Sequence, residues 1–357
     1  MKKLFGSFGD IIQKPGSSIH HDDLIDADVL LTRTVTRADA ELLHNTAVKF
    51  VGSATAGYDH LDIEWLRRSG IFYCYAPGVN AIAVAEYVIG CVAYLNSQQI
   101  LPENCRAGIV GVGHIGAEVQ QKLTRLGLDV LCNDPPRAQH EPTFHSAPLS
   151  HFYDVDLICI HTPLTMKGEF PTYHLIDESF LEKLKPGCVL LNAGRGAVVN
   201  NQALAAAEHI VACLDVWENE PDIHLDMLKK AEIATPHIAG YSLQAKYKAT
   251  YAVYQKFIEH FNLNDPHQDK SPENFIHDIN LPLQQYDSWQ QVVLAAFNPH
   301  HETVKMKTEL LNHSNDVGQR YEKLRRDYPL RNEFSTHTLT QELSPSTQSI
   351  LKKLGIK

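Results

Sequence analysis

Ala107-Gly108-Ile109-Val110-Gly111-Val112-Gly113-His114-Ile115-Gly116 is the stretch on which the fold turns. Its first four residues read as a strand. Gly111, Gly113 and Gly116 follow in GxGxxG spacing, and Ile115, Val119, Leu123 and Leu126 then recur at helical intervals. In a strand, turn and helix of this kind the first glycine permits the tight turn. The second lets a pyrophosphate approach the backbone, and the third lets helix and strand pack closely, with His114 and Ile115 opening the helix at the phosphates. The spacing alone is a weak signal, so context decides. The next apolar run, 129–133, delivers Asp134 roughly twenty residues beyond the first glycine, where an acid accepts from both ribose hydroxyls and repels a 2′-phosphate. NAD is therefore expected over NADP. Arg137, after Pro135-Pro136, reads more readily as solvated charge or an adenine contact than as a partner for a 2′-phosphate.

Outward from this unit, short runs rich in Val, Ile and Leu recur at 29–32, 49–53, 107–110, 129–133, 157–161, 189–192, 210–215 and 232–235, with helical patterns between many of them. Runs apolar on both faces that alternate with helices imply parallel sheets covered on both sides, a doubly wound α/β pattern. The small, apolar, helical stretch 81–95 could bridge two lobes. The polar stretch 262–273, with two prolines, reads as a linker to a further unit. In that unit Ser288 could cap a helix ending near Phe297, and 317–327 reads as a helix halted before Pro329.

The 357 residues favour two or three units, and a composition of 44% hydrophobic and 21% charged residues is that of an ordinary globular protein. A net charge of −10 argues against a nucleic-acid partner, because phosphate backbones select clustered Lys and Arg. No stretch approaches the roughly 18 apolar residues of a membrane span. Gly6, Ser7, Gly9 and Asp10 break the apolar run that a secretion signal behind Met1-Lys2-Lys3 would need, so a cytoplasmic location is expected. The seven cysteines are scattered without a CxxC pair, which indicates neither a disulfide framework nor a metal site.

Three strand ends carry polar groups where open α/β sheets bind ligands: Asn192-Ala193-Gly194-Arg195-Gly196, Asp215-Val216-Trp217-Glu218-Asn219-Glu220-Pro221 and Thr235-Pro236-His237-Ile238-Ala239-Gly240. Oxidising a 2-hydroxy acid requires a base for the hydroxyl proton and a cation for the carboxylate. Arg195 suits the carboxylate because its planar fork bonds both oxygens, and the flanking glycines let substrate come close; the bland alternative is a surface ion pair. His237 suits proton exchange, since imidazole titrates near neutrality and a neighbouring carboxylate orients the ring. With 20 histidines in the chain, His237 stands out by position only. Glu218 and Glu220 compete for the carboxylate role, and spacing does not separate them.

Together with His161-Thr162-Pro163-Leu164, these ordered motifs resemble the D-isomer-specific 2-hydroxyacid dehydrogenases. Phe50-Val51-Gly52-Ser53-Ala54-Thr55-Ala56-Gly57, Pro77-Gly78-Val79-Asn80-Ala81-Ile82-Ala83-Val84, Asp134-Pro135-Pro136-Arg137 and His237-Ile238-Ala239-Gly240-Tyr241 are similar to the branch that oxidises 4-phospho-D-erythronate in vitamin B6 synthesis. The resemblance implies two Rossmann-like lobes and a small α+β C-terminal dimerisation domain: a substrate lobe of 1–80 and 238–265, an NAD domain of 81–237, and 266–357. It implies Arg195, Glu220 and His237 as catalytic residues, the glutamate before proline being the matching one. It places NAD on Asp134, Thr162, Ala193, Gly194, Arg195, Asp215 and Gly240, and substrate on Thr34, Thr55 and Tyr241, with Thr34 where the family usually carries serine. A homodimer acting on a small phosphorylated hydroxy acid follows from it. Relatives open with a strand and loop ahead of Met1-Lys2-Lys3-Leu4-Phe5-Gly6, so an exposed sheet edge is expected in the first lobe. The basic run Lys323-Leu324-Arg325-Arg326 reads as a solvated helix face in preference to a source of phosphate contacts across a dimer. The rivals are a sister dehydrogenase, such as one for 3-phosphoglycerate, and a non-catalytic NAD-sensing protein on the same fold.

Overall fold

The computed structural model describes residues 1–267, 271–272, 278–282 and 285–357. The chain divides into two compact units, Met1–Asn80 with Ser242–His277, and Ala81–Tyr241 with Asp278–Lys357. Part of the expected linker, 268–270 and 273, lies outside the described residues.

The first unit is built on three parallel strands, β1 (Val29–Thr32), β2 (Phe50–Ser53) and β3 (Phe72–Cys74), in that spatial order. β3 was not foreseen, because its three residues carry too little Val, Ile or Leu; the aromatic run after the turn at Gly70 is the signal that marks it. Helix Leu243–His260, capped by the Ser242 side chain, lays Val253, Tyr254 and Phe257 in one apolar cluster with Phe50. A Cβ on Gly52 would stand 2.4 Å from Val253 Cγ1, so glycine is what allows this helix to sit so close to the sheet. β1 and β3 are the two edges of the sheet. The short helix Lys2–Phe5 buries Leu4 and Phe5, with the Phe5 ring edge-on to Tyr254 and Phe257.

The second unit is a six-stranded parallel sheet of β4 (Arg106–Val110), β5 (Asp129–Asn133), β6 (Leu157–Ile160), β7 (Val189–Asn192), β8 (Val211–Leu214) and β9 (Ile233–Ala234), ordered β5-β4-β6-β7-β8-β9. Alternation along each strand divides its side chains between two cores. Leu157, Cys159, Val189, Leu191 and Cys213 join one, while Ile158, Ile160, Leu190, Ala212 and Leu214 join the other. Each fully buried aliphatic side chain of this kind contributes about 1.5–3 kcal/mol, which is why the strands read as continuous apolar runs. The strand order reverses between β5 and β6, at β4, and open α/β sheets bind ligands outside the carboxyl end of such a switch. The glycine turn leaves β4 at that point.

Helix Ala81–Ser97 is buried along almost its whole length and belongs to this unit. Among the described residues, no helix is long and apolar enough to cross a membrane. Residues 278–357 also join this unit: Phe297, Met306, Leu310, Tyr321 and Leu351 are members of the two cores on the sheet. Apolar residues of this segment thus help to complete the cores on the sheet, and the second part of the first unit opens at Ser242, the cap of the next helix. Within the segment Ser288 caps helix Trp289–Ala296, helix Val317–Arg326 stops before Asp327, and β10 (Ile279–Asn280) pairs with β11 (His337–Thr338).

Candidate active site

The three glycines after β4 differ in what surrounds them. Gly111 has φ +86°, and a Cβ there would stand 2.8 Å from the Thr162 nitrogen. A Cβ on Gly116 would stand 2.0 Å from the Gly111 carbonyl oxygen, so no larger residue fits without moving the turn. A Cβ on Gly113 would meet nothing within 4 Å among the described residues, and helix His114–Arg125 begins there without a side-chain cap. The amides of His114 and Ile115 thus open a helix end whose partial positive charge suits an anion.

Asp134 follows β5. It accepts from the Arg137 amide at 3.0 Å and from the Val112 amide at 2.8 Å, tying the acid to the glycine turn. Arg137 is not solvated charge, which corrects the expectation. Its Nε and Nη2 fork onto Glu141 at 2.7 and 3.1 Å, its Nη1 donates to the Val112 carbonyl, and its guanidinium carbon lies 4.4 Å from the Phe144 ring centroid. Across the turn, Thr162 is buried and its hydroxyl has no hydrogen-bond partner among the described residues. His161 beside it has neither ring nitrogen satisfied, and burial pushes its pKa down to about 3, so the ring is neutral. An open cradle at Gly113, an uncapped helix end, an acid at the strand terminus and an orphaned hydroxyl are together a fit for a dinucleotide.

After β7, the Asn192 side chain staples its own loop, accepting from the Gly194 amide and donating to the Arg195 carbonyl, both at 3.0 Å. A Cβ on Gly194 would stand 3.1 Å from the Ile160 and Thr162 carbonyl oxygens, and one on Gly196 would stand 1.9 Å from the Trp217 oxygen. Arg195 therefore rises, half-buried, from a loop pressed between the ends of β6 and β8. Its Nη1 donates to the Gly194 carbonyl.

The loops after β8 and β9 interlock through Asp215. One carboxylate oxygen accepts from the Ile238 amide and the Thr235 hydroxyl, both at 2.7 Å, and the other accepts from the Ala239 amide at 3.0 Å. Burial pushes the Asp215 pKa up, against His237 and these hydrogen bonds. The Thr235 hydroxyl also meets Tyr87 Oη at 2.8 Å, and the Trp217 ring donates to the Thr235 carbonyl. His237 itself has φ +56°, a left-handed backbone that costs a non-glycine residue on the order of 1 kcal/mol or more. Its amide donates to the Asp215 carbonyl at 2.7 Å, which holds it in that conformation.

So held, His237 Nδ1 lies 2.8 Å from Glu220 Oε2, and Glu220 Oε1 accepts from the Trp217 amide at 2.8 Å. Burial would raise the Glu220 pKa, but His237, the Trp217 amide and Arg325 outweigh it and hold the carboxyl below its ordinary range. Glu218, the competitor by spacing, turns away. Its Oε1 meets His174 Nε2 at 2.7 Å and its Oε2 accepts from the Asn201 amide.

Tyr241 and Gly240 follow His237 on the same loop. Arg331, from the carboxyl-terminal segment, is buried and donates through Nη1 to the Tyr241 carbonyl at 3.0 Å and through Nη2 to the carbonyls of Ala239, at 2.8 Å, and Ala83. Arg325 Nε donates to the Tyr241 hydroxyl at 3.2 Å, so this member of the basic run is half-buried on a tyrosine and not on a solvated face. Nothing in the local sequence around Arg331 marked it. In the first unit, Thr34 is exposed on the turn after β1, and the Thr55 hydroxyl, after β2, donates to the Gly57 carbonyl beside Ser53.

The family model described as D-isomer specific 2-hydroxyacid dehydrogenase, NAD binding domain, matches residues 94–239. An erythronate-4-phosphate dehydrogenase of Coxiella burnetii is 49% identical over 354 residues, spanning 99% of this chain and 94% of its own. Among solved structures, the TT0316 protein of Thermus thermophilus superposes with a TM-score of 0.56 at 27% identity, over 72% of this chain and 90% of that one. The NAD+-bound 3-phosphoglycerate dehydrogenase of Entamoeba histolytica has a TM-score of 0.60 at 23% identity, over 70% and 84%, a likeness of fold alone. With an NAD-binding domain at its centre and nearly half its residues shared along almost the whole of the Coxiella protein, the chain belongs to the D-isomer-specific 2-hydroxyacid dehydrogenases, in their erythronate-4-phosphate dehydrogenase branch.

Proposed function

We propose that this protein oxidises 4-phospho-D-erythronate to (3R)-3-hydroxy-2-oxo-4-phosphobutanoate with NAD, as a step of vitamin B6 biosynthesis. The observation that carries the reading is the His237–Glu220 pair at 2.8 Å, set at the carboxyl ends of the strands of an NAD-binding sheet. Oxidation at the alpha carbon removes a hydride from carbon and a proton from the hydroxyl oxygen. Bound NAD supplies the acceptor for the hydride.

His237 takes the proton at Nε2, because Nδ1–H is engaged by Glu220. Glu220, ionised and fixed by the Trp217 amide, stabilises the imidazolium that results. Arg195 holds the substrate carboxylate with its planar fork. Gly111, Gly113 and Gly116 with the amides of His114 and Ile115 hold the pyrophosphate, and Asp134 holds the ribose. Thr162, Ala193, Gly194, Asp215 and Gly240 would also hold the NAD, and Thr34, Thr55 and Tyr241 would hold the substrate. Asp215 has a second duty in this reading, since both its oxygens already support the His237 loop. We place the protein in the cytoplasm as a homodimer assembled through the carboxyl-terminal segment. Seven buried free cysteines support a reducing compartment, and sedimentation velocity tests the dimer.

The deciding experiment follows NADH absorbance with 4-phospho-D-erythronate and 3-phosphoglycerate in parallel. A preference for the former of about tenfold or more in kcat/KM is expected. Equal or faster turnover of 3-phosphoglycerate would reassign the substrate, and no NADH from either would favour an NAD-sensing role.

A further inference from the structure

A phosphorylated 2-hydroxy acid has two anionic ends, and Arg195 accounts for only one of them. Arg325, near the end of helix Val317–Arg326, has the features of a receptor for the other. Its Nε donates to the Tyr241 hydroxyl at 3.2 Å, and its guanidinium carbon lies 5.9 Å from the Tyr241 ring centroid. Tyr241 is four residues beyond His237 on one loop, pinned through its carbonyl by Arg331.

The other arginines of this neighbourhood are committed. Arg320 is paired with Glu309, Arg326 with Asp327, and Arg331 with carbonyl groups. Arg325 alone of these four has neither a carboxylate at ion-pair distance nor a carbonyl acceptor among the described residues. Its Nη1 and Nη2 make no hydrogen bond among the described residues, yet they are not sealed from solvent as the unsatisfied Nε atoms of Arg320 and Arg331 are. A half-buried guanidinium loses hydration, and Glu220, which acts on Arg325 only from beyond ion-pair distance, leaves the two N–H pairs open to match the fork geometry of a phosphate. The fully buried Tyr321 hydroxyl, one helical turn earlier, acts on Glu220, so this side of the helix faces the site.

We propose that Arg325, braced by Tyr241, receives the phosphate of the substrate and so places the hydroxyl-bearing carbon at His237. The assignment rests on the phosphorylated substrate proposed above. It makes the carboxyl-terminal segment of the same chain part of the substrate site.

The test compares wild type with Arg325→Met, Arg325→Lys and Arg326→Met, the last altering an exposed residue already paired with Asp327. Two quantities are read: steady-state KM and kcat for 4-phospho-D-erythronate, and the calorimetric affinity of the NADH-loaded protein for inorganic phosphate. Loss of a charge-assisted fork predicts that Arg325→Met raises KM and weakens phosphate binding by about 10- to 100-fold, with kcat changed only a few-fold. Arg325→Lys should recover part of both, and Arg326→Met should match wild type. A fall in kcat with KM and phosphate affinity unchanged would mark Arg325 as a structural support for the loop and overturn the proposal. Wild type that binds phosphate through Arg325 but does not oxidise 4-phospho-D-erythronate would instead overturn the substrate reading and leave the anion site standing.

Discussion

Replacing Glu220 by glutamine changes one atom in the pair we propose for proton removal, and the surrounding hydrogen bonds dictate which way the new amide must face. The Trp217 amide, 2.8 Å from Oε1, needs an acceptor, so it keeps the amide oxygen on its side. The NH2 group is then left opposite His237 Nδ1, where the carboxylate oxygen stood at 2.8 Å. An NH2 donates and does not accept, so Nδ1 becomes the bare nitrogen and the ring proton moves to Nε2, the atom that must take the substrate proton. Losing the charge-assisted bond costs about 1.5–3 kcal/mol, and restoring the useful tautomer breaks a new neutral bond worth about 0.5–1.5 kcal/mol. With Glu220 20% and His237 31% exposed, solvent screens little of this. At about 1.4 kcal/mol per tenfold, turnover should fall by about 10² to 10³. Steady-state kcat from NADH absorbance reads it, with NADH affinity by fluorescence as the control for intact folding. Glu218→Gln is the matched comparison, because Glu218 serves His174 and Asn201 and should change kcat only a few-fold. Were the Glu220 variant to retain near-normal turnover, or the Glu218 variant to be the more damaged, the assignment of the pair would fail.

His237→Ala removes the proposed proton acceptor and should lower kcat by about 10² to 10⁴ while NADH still binds; an unimpaired kcat would take His237 out of the chemistry. Gly116→Ala inserts a Cβ 2.0 Å from the Gly111 carbonyl oxygen, so the turn must shift and NADH affinity, read by fluorescence titration, should weaken by about tenfold or more. An unaltered affinity would show that the turn can yield. Glu86 is buried in helix Ala81–Ser97, and burial pushes its pKa up to about 8 despite Lys122 at 3.9 Å. Below its ordinary carboxyl range both folded and unfolded forms hold the proton. Between there and about pH 8 only the folded form does, so stability should decline as pH rises, by a total on the order of 3–5 kcal/mol. Denaturant unfolding from pH 5 to 9 should show this decline in wild type and a flatter profile in Glu86→Gln; parallel profiles would contradict it.

The parallel sheets were legible because period and burial agree. Leu157, Ile158, Cys159 and Ile160 are all apolar since each face of β6 meets its own core. The glycine turn was legible for a similar reason: three glycines answer to three different spatial demands in one short segment. What could not be read is where two candidate groups differ only in partner. Glu218 and Glu220 are two residues apart, and it is His174 and Asn201, far from them in sequence, that draw one away. β3 escaped because three aromatic-rich residues carry almost no periodic signal. Arg325 and Arg331 escaped because a charge in a basic helix or loop reads as solvated until tertiary packing brings Tyr241 and the Ala239 carbonyl against it. How the carboxyl-terminal segment packs could not be read either, because it is set by distant partners: Met306, Leu310 and Tyr321 join one core of the sheet, and Thr303 Oγ1 accepts from the Ala234 amide of β9.

The three carbonyls held by Arg331 bear on any attempt to prepare a minimal catalytic fragment. Cutting the chain ahead of position 331 would remove more than a few apolar side chains of the sheet's cores. It would release the backbone of Ala239 and Tyr241, and with it the bent hook from which the imidazole hangs. A shortened chain would thus lose the support of the loop that carries His237, even with the glycine turn, Glu220 and His237 all present in its sequence.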